Sequence, residues 1–232
     1  MAGREDLPHL SNSEGARREW ETKYRDAAAF MKTRPSSGRV LLEIAAQHPL
    51  VDARFPNEEF TARLHRGVEL YHSYIQQGMS VEIYVPGSRH MFDGVSDAVS
   101  LSRAGSSFLI ENGIPGVVVH GDDLNHRYKE KEGVYGSADE CFVASSFFKS
   151  SDFEVLGSVV SPGQLMRKTL HYIAFGVLPL CYTVPVKHAF HDYIHEIFDE
   201  IPYVLYVDDT LQDADSEKAK LLRQQRRPKD SS

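Results

Sequence analysis

Three observations predict that this 232-residue chain has an α/β fold, a doubly wound, mostly parallel Rossmann-like sheet with helices on both faces. After Gly38, short apolar runs alternate with longer stretches of helical periodicity, the pattern of βαβ units. Hydrophobic residues make up 41% of the chain and charged residues 25%, which is enough apolar surface for a sizeable core without disulfides or metal. Crossovers between parallel strands are right-handed, so the functional crevice belongs at the carboxyl ends of the strands.

Residues 1–37 read as an N-terminal extension, 38–212 as the Rossmann-type domain and 213–232 as a flexible basic tail. Residues 1–12 carry no periodicity and are expected to be disordered. Ala16, Trp20, Tyr24, Ala27, Ala28 and Met31 then recur every three or four residues, predicting an appended amphipathic helix that ends before the breaker Arg34-Pro35-Ser36-Ser37-Gly38. It is free to dock on its own domain or on a second copy in a homodimer. The strand candidates are Val40–Ala45, Val81–Val85, Val117–His120, Glu154–Val160, Leu180–Val184 and Val204–Val207. Helical patterns lie between them at Asn57–Gln77, Ser96–Asn112, Ser137–Ser150, Gln164–Phe175 and Val186–Glu200. The segment Leu124–Gly136 reads as a long polar loop.

The net charge of −7 argues against a protein that coats nucleic acid or an anionic membrane. The tail from Asp213 is basic, but that reads as a solvated, frayed end more readily than as a nucleic-acid arm. Cys141 and Cys181 lie far apart with no CxxC pairing, which excludes a zinc ribbon or a redox dithiol and fits a reducing compartment. No stretch reaches the roughly 18 apolar residues of a membrane span, and Met1–Arg34 lacks an apolar signal core, so a cytoplasmic location is expected.

Function in such folds belongs to the loops that follow the strands. Gly87-Ser88-Arg89 and Ser161-Pro162-Gly163 place small residues and a hydroxyl where backbone N–H groups and a helix end can hold an anion, with Arg89 and Arg167 adding forked hydrogen bonds. Neither loop matches a dinucleotide fingerprint or a Walker loop. His120-Gly121-Asp122-Asp123 is the best acid/base candidate, because carboxylates and an imidazole directly after a strand converge on the crevice. Asp-rich turns also arise because Asp caps its own backbone, and that reading stays open. His48 and His90 are further imidazoles just past strands. His188, His191 and His195 share one helix face but border the apolar residues Phe190, Ile194 and Ile197, which points to a boundary strip. His65 and His72 read the same way. No GxSxG elbow is present, and Cys141 sits among Phe142, Val143 and Phe147 as an inert core thiol.

Arg63-Leu64 with Leu70-Tyr71, Gly87-Ser88, Ser96-Asp97-Ala98, Gly113-Ile114-Pro115, Asp122 or Asp123, Ser137-Ala138-Asp139-Glu140 and Val160–Arg167 follow one another in a telling order. In that order the chain resembles the DUF218 family, the YdcF/SanA/ElyC-like proteins, and specifically its cytoplasmic branch, over roughly residues 38–200. The resemblance implies a Rossmann-like fold and a small-ligand site, with nucleotides, S-adenosylmethionine and phosphorylated carriers as proposed ligands. It makes Ser137 the start of the helix after the acidic residue and keeps Ser161 and Arg167 of the motif after the fourth strand. Two departures stand out: Ala45-Ala46-Gln47-His48 replaces a glycine-rich strand end, and Gln164 stands where the family motif has histidine. A mechanism that uses that histidine does not transfer.

The expectation is therefore an enzyme, a hydrolase or transferase of a small phosphorylated or nucleotide-like metabolite. Gly87, Ser88, Arg89, Ser137, Ser161, Gly163, Gln164 and Arg167 would bind the anionic ligand, and His120, Asp122, Asp123, His48 and His90 are the candidates for catalysis. A divalent metal or S-adenosylmethionine is the cofactor to look for. The alternative is a protein that binds a nucleotide or S-adenosylmethionine without turnover.

Overall fold

The structure, a computed structural model, describes residues 13–46, 57–87, 89–90, 99–128 and 136–184. Five strands form one parallel sheet: β1 (Arg39–Ile44), β2 (Ser80–Tyr84), β3 (Val119–His120), β4 (Val155–Val160) and β5 (Leu180–Thr183). Their spatial order is β3-β2-β1-β4-β5, the doubly wound order. Six helices accompany them among the described residues: α1 (Ser13–Lys32), α2 (Glu58–Gln76), α3 (Leu101–Glu111), α4 (Asp122–Tyr128), α5 (Ser137–Ser150) and α6 (Leu165–Ala174).

Alternation along the strands feeds two cores. Val40, Leu42 and Ile44 of β1 face α2 and α3, where Phe60, Leu64, Leu70, Leu101 and Leu109 are buried. Leu41 and Tyr84 point the other way, onto Val143, Phe147, Phe148 and Tyr172 of α5 and α6. Central parallel strands are buried on both faces, which is why β1 reads as a nearly continuous apolar run. On α2, the Asn57 side chain accepts from the Phe60 N–H at 2.7 Å and fixes where the helix starts.

The appended helix α1 docks on its own domain. Ala27 is fully buried, Phe30 packs edge-on against Phe148, and Arg34 donates to the backbone carbonyls of Phe153 and Ser151. The contact centres on the last two turns, while Tyr24 is exposed.

Three expectations change. The strand candidate 117–120 shrinks to two residues because Gly116–Val118 turns as a 3-10 helix, leaving Val117 86% exposed. Part of the expected loop 124–136 is α4, whose Leu124 and Asn125 are buried. The helix expected from Ser96 starts at Leu101, preceded by a two-residue antiparallel ribbon that pairs Arg89–His90 with Val99–Ser100. The expected helix 186–200, the strand 204–207 and the tail lie outside the described residues.

Gly105, in the middle of α3, shows how closely that helix meets the sheet. A Cβ there would come within 2.7 Å of the Val85 Cγ1 and 2.9 Å of the Phe60 ring. Gly105→Ala gains helix propensity worth about 1 kcal/mol but overpacks the core by about 1–3 kcal/mol. The expected outcome in urea unfolding is a net loss of about 1 kcal/mol, where an unobstructed helix position would show a gain.

Candidate functional site

The order β3-β2-β1-β4-β5 reverses direction between β1 and β4, because the chain leaves β1 for α2 on one face and β4 for α6 on the other. A crevice opens at the carboxyl ends of such a strand pair. Arg63 of α2 occupies this place and is completely buried. Its Nη1 donates to the carbonyls of Ala45 and Ala46 at 2.9 and 3.0 Å, just past β1. Its Nε and Nη2 donate to the Ser161 hydroxyl at 2.9 and 2.6 Å, just past β4, and Nη2 also meets Glu59 Oε1 at 2.5 Å. Ser161 in turn donates to Glu59. Burial pulls the Arg63 pKa down, and the carboxylate of Glu59, with those of Glu140 and Glu43 behind it, opposes the shift.

Behind this clamp, on the α5/α6 face, lies a second charged group, in which Glu43 and Lys168 are fully buried and Glu140 is nearly so. Glu43 of β1 accepts from Lys168 of α6 and from the Ser158 hydroxyl of β4. Lys168 also meets Glu140 of α5 at 2.5 Å. Burial would push the Lys168 ammonium down, but Glu140 and Glu43 more than reverse it and hold its pKa above the ordinary lysine value. The buried Asp139 is the neighbour of Glu140 in the first turn of α5. Cys141 is fully buried, and burial raises its pKa, so it stays a thiol.

The expected site residues divide between two places. Ser161, Gly163, Gln164 and Arg167 form one continuous stretch, from the buried Ser161 through the 3-10 turn Pro162–Gln164 into the start of α6. Ser137 opens α5 and is half-buried. Gly87, His120, Asp122 and Asp123 stand at the ends of β2 and β3 instead. From β3 to β4 is three strand spacings, about 14 Å, so the imidazole and the Ser161 stretch do not meet. The side chain of His120 points to Glu82 of β2, with Nε2 to Oε2 at 2.8 Å, and its Nδ1 lies 3.3 Å from Asp123 Oδ2. Asp123 also caps its own turn by accepting from the Gly121 N–H at 2.7 Å. Burial works to raise the Asp123 pKa, but that backbone bond and His120 outweigh it and the net shift is downward. Asp122 is the first residue of α4. His90 and Arg89 are backbone positions in the short ribbon, and His48 and Ser88 lie outside the described residues.

Gly87 is where it is because a Cβ would fall 2.2 Å from the Ser102 backbone nitrogen. Its carbonyl lies 3.5 Å from the Asn125 amide, whose oxygen accepts from the buried Tyr84 hydroxyl at 2.6 Å. Among the described residues, no cluster of three His, Cys, Asp or Glu side chains is arranged to hold a metal ion, so the divalent-metal expectation finds no ligand set there. No helix of the described residues is long and apolar enough to cross a membrane.

Glu43, Glu59 and Lys168 are given no role by the sequence, and Arg63 and Glu140 enter there only as landmarks of the family resemblance. Glu43 had a visible signal, a lone charge inside the run Val40–Ala45 that burial obliges to find a partner. Comparison with family profiles, with curated proteins and with solved structures gives no match to this chain.

Removing one member of a buried charge pair leaves the others uncompensated. Lys168→Met is expected to cost about 3–5 kcal/mol in chemical unfolding, because Glu43 and Glu140 lose their cation. The triple variant Lys168→Met, Glu43→Leu, Glu140→Gln is expected to recover much of that loss, since no carboxylate is then left without its cation and apolar replacement of a buried ionic group is often close to neutral.

Proposed function

We propose that the chain is an enzyme acting on a small phosphorylated or nucleotide-like metabolite, by hydrolysis or group transfer, in the crevice between the carboxyl ends of β1 and β4. The observation that carries this reading is the contrast between the helix starts at that crevice. α2 and α5 carry acidic pairs in their first turns, Glu58-Glu59 and Asp139-Glu140. α6 carries none and has Arg167 as its third residue; like α5 it has no side-chain cap, and its leading N–H, that of Leu165, bonds back to the Pro162 carbonyl. A helix start left positive beside an arginine suits a phosphate or carboxylate. In this reading Arg167 and the first turn of α6 hold the anion, and Gln164 orients it. Glu59, whose side chain is 20% exposed beside the buried Arg63, is the carboxylate that accepts the proton of an attacking water or hydroxyl. The parallel sheet agrees with the Rossmann-like fold implied by the resemblance to DUF218-family proteins. We also infer a cytoplasmic location, which suits the two free cysteines.

A second reading, a nucleotide or S-adenosylmethionine binding protein without turnover, is favoured by one observation. The Ser161 hydroxyl and both ring nitrogens of His120 are already engaged within the protein. Incubation with a metabolite extract, followed by mass spectrometry, separates the two readings: an enzyme depletes one compound, and a binder retains one unchanged.

A nucleotide and sugar-phosphate panel screened by calorimetry tests the site itself. Arg167→Ala is expected to weaken the best ligand by about 10- to 100-fold, the contribution of hydrogen bonds to a charged group. Equal affinity in the variant would refute the assignment.

A further inference from the structure

His120 lies between two carboxylates that belong to different elements. From β2, Glu82 Oε2 faces its Nε2 at 2.8 Å; from α4, Asp123 Oδ2 faces its Nδ1 at 3.3 Å. From α5 the Phe147 ring meets it edge-on at 5.3 Å between centroids. The charges continue past Glu82. Its other oxygen pairs with Arg39 of β1 at 2.5 Å, and Arg39 also pairs with Asp152 in the turn before β4.

The chemistry of imidazole makes this arrangement dependent on a proton. A neutral ring has one N–H and can donate to one carboxylate, whereas a charged ring has two and can satisfy both. The Glu82 bond is the shorter, and Glu82 is 24% exposed against 62% for Asp123, so a single proton stays on Nε2. The bond that goes on deprotonation is the one to α4.

That bond lies at the junction of β3 with α4. β3 is joined to β2 by two register pairs, Ile83 with Val119 and Tyr84 with His120, and by the Val85 N–H donating to the His120 carbonyl at 2.9 Å. α4 follows directly and carries Asn125, which receives the Tyr84 hydroxyl and faces the Gly87 carbonyl. We propose that His120 is a pH-sensitive pin that holds the start of α4 against the sheet edge when charged and releases it when neutral, loosening the support beneath Gly87. This is a conformational device independent of the reaction proposed above.

Hydrogen exchange of the full-length chain tests it without reference to activity. After correction for the intrinsic pH dependence of exchange, protection of the amides of residues 122–128 is expected to fall about three- to fivefold as the pH is raised and the imidazole loses its charge. Amides of β1 serve as the unchanged control. In His120→Gln, whose side chain cannot be charged, the pH dependence should vanish. Asp123→Asn, at an exposed position, should flatten the profile in the same way and keeps the test decisive if the His120 variant folds poorly. Protection that is flat with pH in the wild-type chain, or that still falls in the folded variants, would overturn the proposal.

Discussion

A buried guanidinium must find an acceptor for each of its N–H groups, and Arg63 finds them where the sheet divides. The strands β1 and β4 are neighbours, yet the chain departs from them toward opposite faces, so the backbone just past β1 loses its regular partners on one side. Arg63 replaces them, binding the Ala45 and Ala46 carbonyls and the Ser161 hydroxyl from a single planar fork. It thereby fixes the separation of the two strand ends and the entry of α2. A lysine in its place, with a single point of charge, would not span the same set of acceptors.

The opposite face has the same problem and a different answer. There Lys168 joins β1 to α5 and α6 through Glu43 and Glu140, so each helix beside the crevice is tied to the central strand by charge as well as by apolar packing. Buried ion pairs add little net stability compared with apolar residues of similar size. Their geometric demand is high, because the partners must meet at hydrogen-bonding distance or the cost of desolvation is not recovered. The two clusters therefore set the positions of α2, α5 and α6 more narrowly than the surrounding leucines and valines could.

Much of this architecture was legible in the sequence. β1, β2, β4 and β5 begin and end within a residue of the apolar runs, and α2, α5 and α6 follow their periodicity, since burial on one or both faces leaves a direct record in residue order. The record fails where local chemistry overrides the pattern. Gly116 after Pro115 lets a tight turn consume half of an apolar run, and Asp123 caps its own turn, the reading left open beside acid/base chemistry. The charged clusters were hidden for another reason. Arg63 and Ser161 are 98 residues apart, and Lys168 and Glu43 are 125 apart, so each cation looked like an ordinary surface charge on an amphipathic helix until the sheet order brought its partner to it.

The brevity of β3 also affects how this molecule meets others. An edge strand exposes unpaired N–H and C=O groups that can recruit a strand from another chain, and a long, flat, apolar edge is a seed for aggregation. Here the edge strand is two residues long, entered from a 3-10 turn and left by a helix, with its last residue held between two carboxylates. Among the described residues it offers too short a template for an incoming strand to register against, and it does so without a proline or lysine within it.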